Sequence, residues 1–412
     1  MKDPDKTISR RTFIGCGVAS VLGAGIGLTS DASILGAQES EKTPEQTSEE
    51  KTSKPQIKEY RKLGGTGWKV SDIAFGGAGM KDPSLLEYAM DRGINYVDTA
   101  RQYYDMEKVI GQLFPQKRDK LFVTTKLMPE LITIDVTTDQ ITTAIDESIE
   151  RLNTDYVDAC LIHSVGDPNL GDIERLRNPN IHEAFAKAKQ AGKIRAWGAS
   201  SHGPTMVEEF NWLLDNSDIG LIMPGMNYLT KGLEPILAKA RKKGVAVVAM
   251  KSMSMARKVD FSEFMKEGRT LRQALLKWLL GRSNIDTISL TMRNFEDVDE
   301  FVGASGKPKL SLKEKEVLEK YGMRINSEYC RPGCAGCLHA CPNNVPIHDI
   351  LRYRLYFNNY GREKYAMGLY ASLPESRKAL QCTSCTGSCA SSCPYSIPIR
   401  EKLIEAHADL TV

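Results

Sequence analysis

Tyr156–His163, YVDACLIH, is a short apolar run that ends on an imidazole. A largely apolar stretch of that length predicts a buried strand. Runs of the same kind recur at Asp72–Gly76, Tyr96–Ala100, Leu121–Lys126, Ile194–Ser200, Ile219–Met223, Val245–Met250 and Thr287–Met292. Helical patterns separate them. Ile141–Arg151 (ITTAIDESIER), Ile181–Gln190 and Leu271–Leu280 (LRQALLKWLL) carry apolar residues at i, i+3 and i+4. Eight strand–helix alternations within roughly 250 residues predict an α/β fold closed as a parallel (β/α)8 TIM barrel. The alternative is an open doubly wound sheet, but no G-x-G-x-x-G follows any strand. Gly76-Gly77-Ala78-Gly79 lacks that spacing and reads as a turn.

In such barrels the reacting groups stand where strands end. The second strand ends Asp98-Thr99-Ala100 with Tyr103 just beyond, the third ends on Lys126 and the fourth on His163. Three consecutive strands thus deliver an acid, a phenol, an amine and an imidazole to one rim. Taken singly, a rim Asp or Lys reads as a surface ion pair and a strand-end His as structural. Together they form a proton-transfer set. A phenol is a poor acid at neutral pH because its reference pKa is about 10. A lysine cation beside it is expected to lower that value, an aspartate to hold the lysine, and the histidine to orient a carbonyl oxygen.

The chain has 412 residues, 41% hydrophobic and 26% charged, which is ordinary for a soluble globular protein. It is long enough for more than one domain. Its net charge of +3 gives no electrostatic ground for a nucleic-acid partner. Cysteine is unevenly spread: Cys16 and Cys160 apart, all of it lies between Cys330 and Cys393. A disulfide-stapled secreted protein would scatter it more evenly.

The rim residues sit in motifs that resemble the aldo-keto reductase family. Gly93-Ile94-Asn95-Tyr96-Val97-Asp98-Thr99-Ala100, then Tyr103 and Glu107, is similar to its first signature. Ser148-Ile149-Glu150-Arg151-Leu152, Asp155-Tyr156-Val157-Asp158 and Leu161-Ile162-His163 resemble the second. Gly192-Lys193-Ile194-Arg195 and Gly198-Ala199-Ser200 resemble the third. The resemblance spans about residues 57–305. It implies a catalytic tetrad of Asp98, Tyr103, Lys126 and His163, with Tyr103 as general acid and hydride passing from NAD(P) to a carbonyl. The cofactor half departs from the family pattern. Ser200 fits the serine near the carboxamide, but Ser201 stands where asparagine is expected, Met223 for a glutamine and Met250 for the stacking aromatic residue. Thr291 and Asp297 take the places of the basic residues that meet the 2′-phosphate, with Arg293 close by, and a carboxylate would repel that phosphate.

The cysteine runs are Cys330-x3-Cys334-x2-Cys337-x3-Cys341-Pro342 and Cys382-x2-Cys385-x3-Cys389-x3-Cys393-Pro394. Two four-cysteine runs, each closing on Cys-Pro, resemble the paired sites of bacterial-type ferredoxins, with one extra residue in each run. That resemblance implies two [4Fe–4S] clusters, the fourth cysteine of each run serving the other cluster. One would use Cys330, Cys334, Cys337 and Cys393, the other Cys382, Cys385, Cys389 and Cys341. The helical patterns HDILRYRLYFNNY and KYAMGLYASL between the runs suit a small, mainly helical ferredoxin-like domain. Paired four-cysteine zinc sites and disulfides are the alternatives. His339 and His348 beside the first run read as solvated.

Ser9-Arg10-Arg11-Thr12-Phe13-Ile14 opens a glycine-studded stretch reaching Leu28, which resembles a twin-arginine signal. It is too short and glycine-rich for a stable membrane span. Export to the periplasm by that route is therefore expected, with an uncleaved anchor as the alternative. The expected divisions are a signal at 1–37, a disordered linker at 38–56, the barrel at 57–305, a connecting helix at 306–329 and the two-cluster domain at 330–412. The whole predicts an oxidoreductase for a small carbonyl or alcohol, coupled through its clusters to a redox partner protein. The alternative is a non-catalytic electron-transfer module that uses the barrel as a platform. The loop Ser164–Pro179 carries no readable motif for the substrate.

Overall fold

The computed structural model describes residues 54–411, apart from 115, 172, 257–269 and 307–308. The expected signal at 1–37 and nearly all of the linker at 38–56 lie outside the described residues. A hairpin of β1 (Tyr60–Lys62) and β2 (Lys69–Ser71) comes first. There follow β3 (Ile73–Gly76), α1 (Ser84–Asp91), β4 (Tyr96–Asp98), α2 (Met106–Gly111), β5 (Phe122–Lys126), α3 (Thr138–Arg151) and β6 (Val157–Ile162). Next are α4 (Pro179–Gln190), β7 (Ile194–Ser201), α5 (Met206–Asn216), β8 (Leu221–Pro224), α6 (Glu234–Lys242) and β9 (Ala246–Ala249). α7 (Leu271–Leu280), β10 (Thr287–Thr291) and α8 (Phe295–Val302) complete the alternation.

Strands β3 to β10 close into a barrel in the order β10-β3-β4-β5-β6-β7-β8-β9. Every expected strand takes its place, with ends moved by a residue or two. β5 and β6 are buried along their whole length. Strands covered on both faces read as continuous apolar runs rather than alternating ones. Tyr96, Phe122, Leu161, Leu221 and Val248 fill the interior, with Leu63 and Val70 of the hairpin region joining them. Outside, Trp197 of β7 stacks on Phe185 of α4 with ring centroids 4.6 Å apart. Thr137 starts α3 with a capping box to Gln140, satisfying amides that the first turn leaves unpaired. At Gly198, paired with Leu221, the backbones come so close that a Cβ would collide with the Leu221 carbonyl oxygen.

Two charged signature residues serve the fold. Asp158 is held by Arg118 and Arg195, both at 2.7 Å, and accepts from the Val123 amide. Glu107 accepts from Arg151 and Thr125 at 2.6 Å each.

The C-terminal region is helical: α9 (Leu312–Ile325), α10 (Ile347–Tyr360), α11 (Glu363–Ala371) and α12 (Ile399–Leu410). Ile350, Tyr356, Ala366, Tyr370 and Leu403 pack its own core. α10 ends at Gly361, whose φ of 62° is left-handed and favours glycine, and the Arg362 amide donates to the Tyr356 carbonyl at 3.1 Å. That turn aims Arg362 back toward the barrel mouth. The region docks on the rim where the strands end. The Gly333 amide donates to the Gly203 carbonyl at 3.1 Å, Asn227 Nδ2 to Tyr329 Oη at 3.0 Å, and Asn169 Nδ2 to Asp349 Oδ2 at 2.6 Å. His348 departs from expectation: it is 1% exposed rather than solvated, because this docking covers the first turn of α10. His339 is exposed as expected. Among the described residues no helix is long and apolar enough to cross a membrane.

Candidate active site and cysteine quartets

β4, β5 and β6 bring Asp98, Lys126 and His163 to one rim, and the turn after β4 adds Tyr103. Lys126 Nζ donates to Asp98 Oδ1 at 2.5 Å and to the Thr99 carbonyl at 2.7 Å, with the lysine wholly buried. Ser289 Oγ donates to the other Asp98 oxygen at 3.3 Å. The amine lies 5.1 Å from the centre of the Tyr103 ring, and the rings of Tyr103 and His163 meet edge-on with centroids 5.9 Å apart.

The electrostatics differ from the sequence expectation. Burial raises the Tyr103 phenol well above its ordinary pKa, and Asp98 and Tyr356 push the same way. Lys126 does not reverse this, since its charge is neutralised by Asp98. The cation that does pull the phenol down is Arg362, from the turn after α10. Burial, with Lys126 and Lys251 nearby, holds His163 well below the usual imidazole range, so it stands neutral.

A cavity of about 120 Å³ opens beside Tyr103 and Asp98, with Lys251, Ser252, Tyr360 and Arg362 among its walls. Of the four residues expected to meet a nicotinamide, Met250 lines this cavity. Met223 is buried in the barrel interior. Ser200 is buried, and its hydroxyl has no hydrogen-bond partner among the described residues. The Ser201 hydroxyl donates to the Val165 carbonyl and accepts from the Gly203 amide, so it is committed to the chain. Asp297 is ion-paired with Arg272 at 2.6 Å. These residues fit a nicotinamide dinucleotide only in part.

Other rim groups were not foreseen. Lys251 Nζ donates to Tyr356 Oη at 3.2 Å, and that oxygen lies 3.4 Å from His202 Nε2. His202 directly follows β7 and Lys251 stands two residues past the end of β9, so the strand-end rule applied further round the barrel finds them. Tyr356 and Arg362 carry no such signal, because a helical pattern does not say what it will dock against.

The cysteines gather into two quartets. Cys330 has Cys337, Cys334 and Cys393 as thiol neighbours, and Cys382 has Cys341, Cys389 and Cys385. Burial and mutual crowding push Cys330 and Cys337 up to about 12 and Cys382 to about 11. Such crowding suits thiols meant to share a cationic centre. The Val345 amide points at Cys341 Sγ (3.3 Å) and the Gly387 amide at Cys385 Sγ (3.5 Å), the kind of N–H···S contact that tunes iron–sulfur sites. Among the described residues no three His, Cys, Asp or Glu side chains converge on a single-ion site.

Fold, rim chemistry and relatives together define an aldo-keto-reductase-like oxidoreductase with a C-terminal 4Fe–4S region. Residues 81–266 match the aldo/keto reductase family and residues 322–395 the 4Fe-4S dicluster domain. L-galactose dehydrogenase of Arabidopsis thaliana is 25% identical over 286 residues, 60% of this chain and 88% of that one. In fold, an aldo-keto reductase from Bacillus halodurans in its holo form aligns with a TM-score of 0.53 at 23% identity, covering 64% of this chain and 96% of that one. An aldo-keto reductase from Klebsiella pneumoniae, solved in complex with NADPH, aligns with a TM-score of 0.52 at 24% identity over 63% and 95%.

Proposed function

We propose that this enzyme interconverts a small carbonyl compound and its alcohol at the barrel rim, exchanging electrons through two [4Fe–4S] clusters. Reduction of the carbonyl takes two electrons, delivered one at a time through the clusters from the redox partner, and two protons. Tyr103 is the general acid whose buried, protonated phenol gives one proton to the oxygen, and solvent supplies the one that goes to carbon. Oxidation of the alcohol returns both electrons and both protons by the same routes. Asp98 and Lys126 fix the floor beneath it, and neutral His163 orients the substrate oxygen. Cys330, Cys334, Cys337 and Cys393 hold one cluster, and Cys382, Cys385, Cys389 and Cys341 the other. When bound, the clusters supply one-electron exchange with a redox partner protein. The observation that carries the coupling is that Tyr360 and Arg362, from the cluster-bearing region, wall the same cavity as Tyr103. The incomplete nicotinamide seat leads us to read NAD(P) as dispensable. The sequence at Ser9–Ile14 supports assembly in the cytoplasm followed by twin-arginine export.

Anaerobically purified protein tests this reading. Tyr103→Phe is expected to lower turnover by about 10²- to 10⁴-fold while the brown absorption and iron and sulfide contents, about eight each for two such clusters, stay as in the wild type. Tight NADPH binding with hydride-dependent turnover that survives loss of the clusters would sink the electron-transfer half.

A further inference from the structure

The barrel mouth carries more positive charge than the tetrad needs. Asp98 is the carboxylate in the cavity wall, and Lys126 already neutralises it. Lys251, Arg293 and Arg362 share that wall. Several buried or half-buried cations elsewhere are ion-paired, Arg118 with Asp158, Arg151 with Glu107 and Arg272 with Asp297, while Arg331 and Arg352 of the helical region rest on carbonyls and a phenol instead. The three at the mouth have no carboxylate partner among the described residues. Lys251 rests on Tyr356, Arg293 donates to the Tyr360 carbonyl at 2.7 Å, and Arg362 lies over the Tyr365 ring at 4.3 Å. Arg293 is exposed, but Lys251 and Arg362 are half-buried, and gathering cations without counter-charge in such a site is costly unless an anion completes it.

Three further observations point the same way. Lys251 is held at a φ of 56°, a left-handed conformation that a lysine adopts only against strain, and such strain concentrates where a side chain must be aimed. Ser252, in the same wall, is 2% exposed, and its buried Oγ has no hydrogen-bond partner among the described residues. Burial, Arg352 and Arg362 all depress Lys251, which an anion would relieve.

We propose that Lys251, Ser252 and Arg362 form a carboxylate seat, and that the substrate is a short hydroxy or oxo acid. The anion lies between lysine and guanidinium, and the reacting carbon faces Tyr103. This rests on the carbonyl–alcohol reading above and narrows its substrate class. Arg362 makes the seat composite: the barrel supplies the lysine and serine, and the cluster-bearing region supplies the arginine. The cavity, at about 120 Å³, is small beside the roughly 300–1,000 Å³ of sites for larger ligands, so a few-carbon acid suits it better than a dinucleotide.

The test pairs acids with their neutral analogues on the holoenzyme: lactate with lactamide, glycerate with glyceramide. Turnover is measured with an artificial electron acceptor, and binding of oxalate is measured separately by calorimetry. The acids should be preferred by tenfold or more in kcat/KM. Arg362→Gln and Lys251→Met should each reduce that preference, and the oxalate affinity, at least tenfold, with unchanged cluster absorption reporting an intact fold. Arg362→Lys should restore part of both. Equal use of acid and amide, or oxalate binding indifferent to both variants, would overturn the seat while leaving the carbonyl–alcohol reading in place. Oxalate binding that obeys the variants, with no turnover of either class, would keep the seat and remove that reading. If NADPH or pyrophosphate binds the mouth and loses affinity in Lys251→Met while oxalate does not bind, the anion seat belongs to a dinucleotide and the proposal fails.

Discussion

Asp98 and Lys126 show how much the barrel rim leans on one buried pair. The lysine has no exposed surface, and its partners are one carboxylate oxygen and one backbone carbonyl. Removing the carboxylate strands an ammonium in the interior, which costs about 3–5 kcal/mol. Asp98→Ala should therefore lower the denaturant midpoint markedly as well as abolish turnover, and equilibrium unfolding measures the first effect independently of the second. An unchanged midpoint would mean that the lysine finds water in the variant. The identities of Asp98, Tyr103, Lys126 and His163 were legible because each ends or follows an apolar run. The state of the Tyr103 phenol was not. It depends on Arg362, a residue 259 positions further along the chain, and no local pattern encodes that encounter.

At the scale of elements, the barrel was legible almost strand for strand, since continuous apolar runs of five to eight residues leave few other foldings. The helices between the cysteine runs were equally readable, although the docked face of α10 was not, and His348 was misread for that reason. Barrel closure makes its own demand between β7 and β8. With Gly198 set against Leu221, even a methyl group would occupy the carbonyl's space. Backbone must move to admit it, so Gly198→Ala should cost more than about 3 kcal/mol, at the severe end for a single substitution. Loss of soluble, helix-containing protein by circular dichroism is the expected outcome. A variant with wild-type melting would show that the β7–β8 seam has slack.

At the scale of the whole molecule, the seam between barrel and helical region contains two carboxylates, Asp167 and Asp349, bridged by Asn169 Nδ2 at 3.2 and 2.6 Å. Burial and the Asp349 charge raise Asp167 to about 7. Unfolded, such a group titrates near about 4. Between those values the folded protein keeps a proton that the unfolded chain has released, so stability falls as pH rises through this window and levels off above it. Wild type should lose about 1–2 kcal/mol relative to Asp167→Asn between pH 4 and pH 7, read by calorimetry at each pH. A constant difference would dismiss Asp167 as the responsible group. The seam also has a bearing on how the molecule is made. Each cysteine quartet takes three thiols from one run and its fourth from the other. Neither quartet can be completed while the second run is still being synthesised, so the order of synthesis is not the order of assembly. The barrel comes first, and the helical region that docks on its mouth follows, bringing cysteines of both runs into each quartet. The segment that covers the barrel mouth is thus the same one that gathers the quartets.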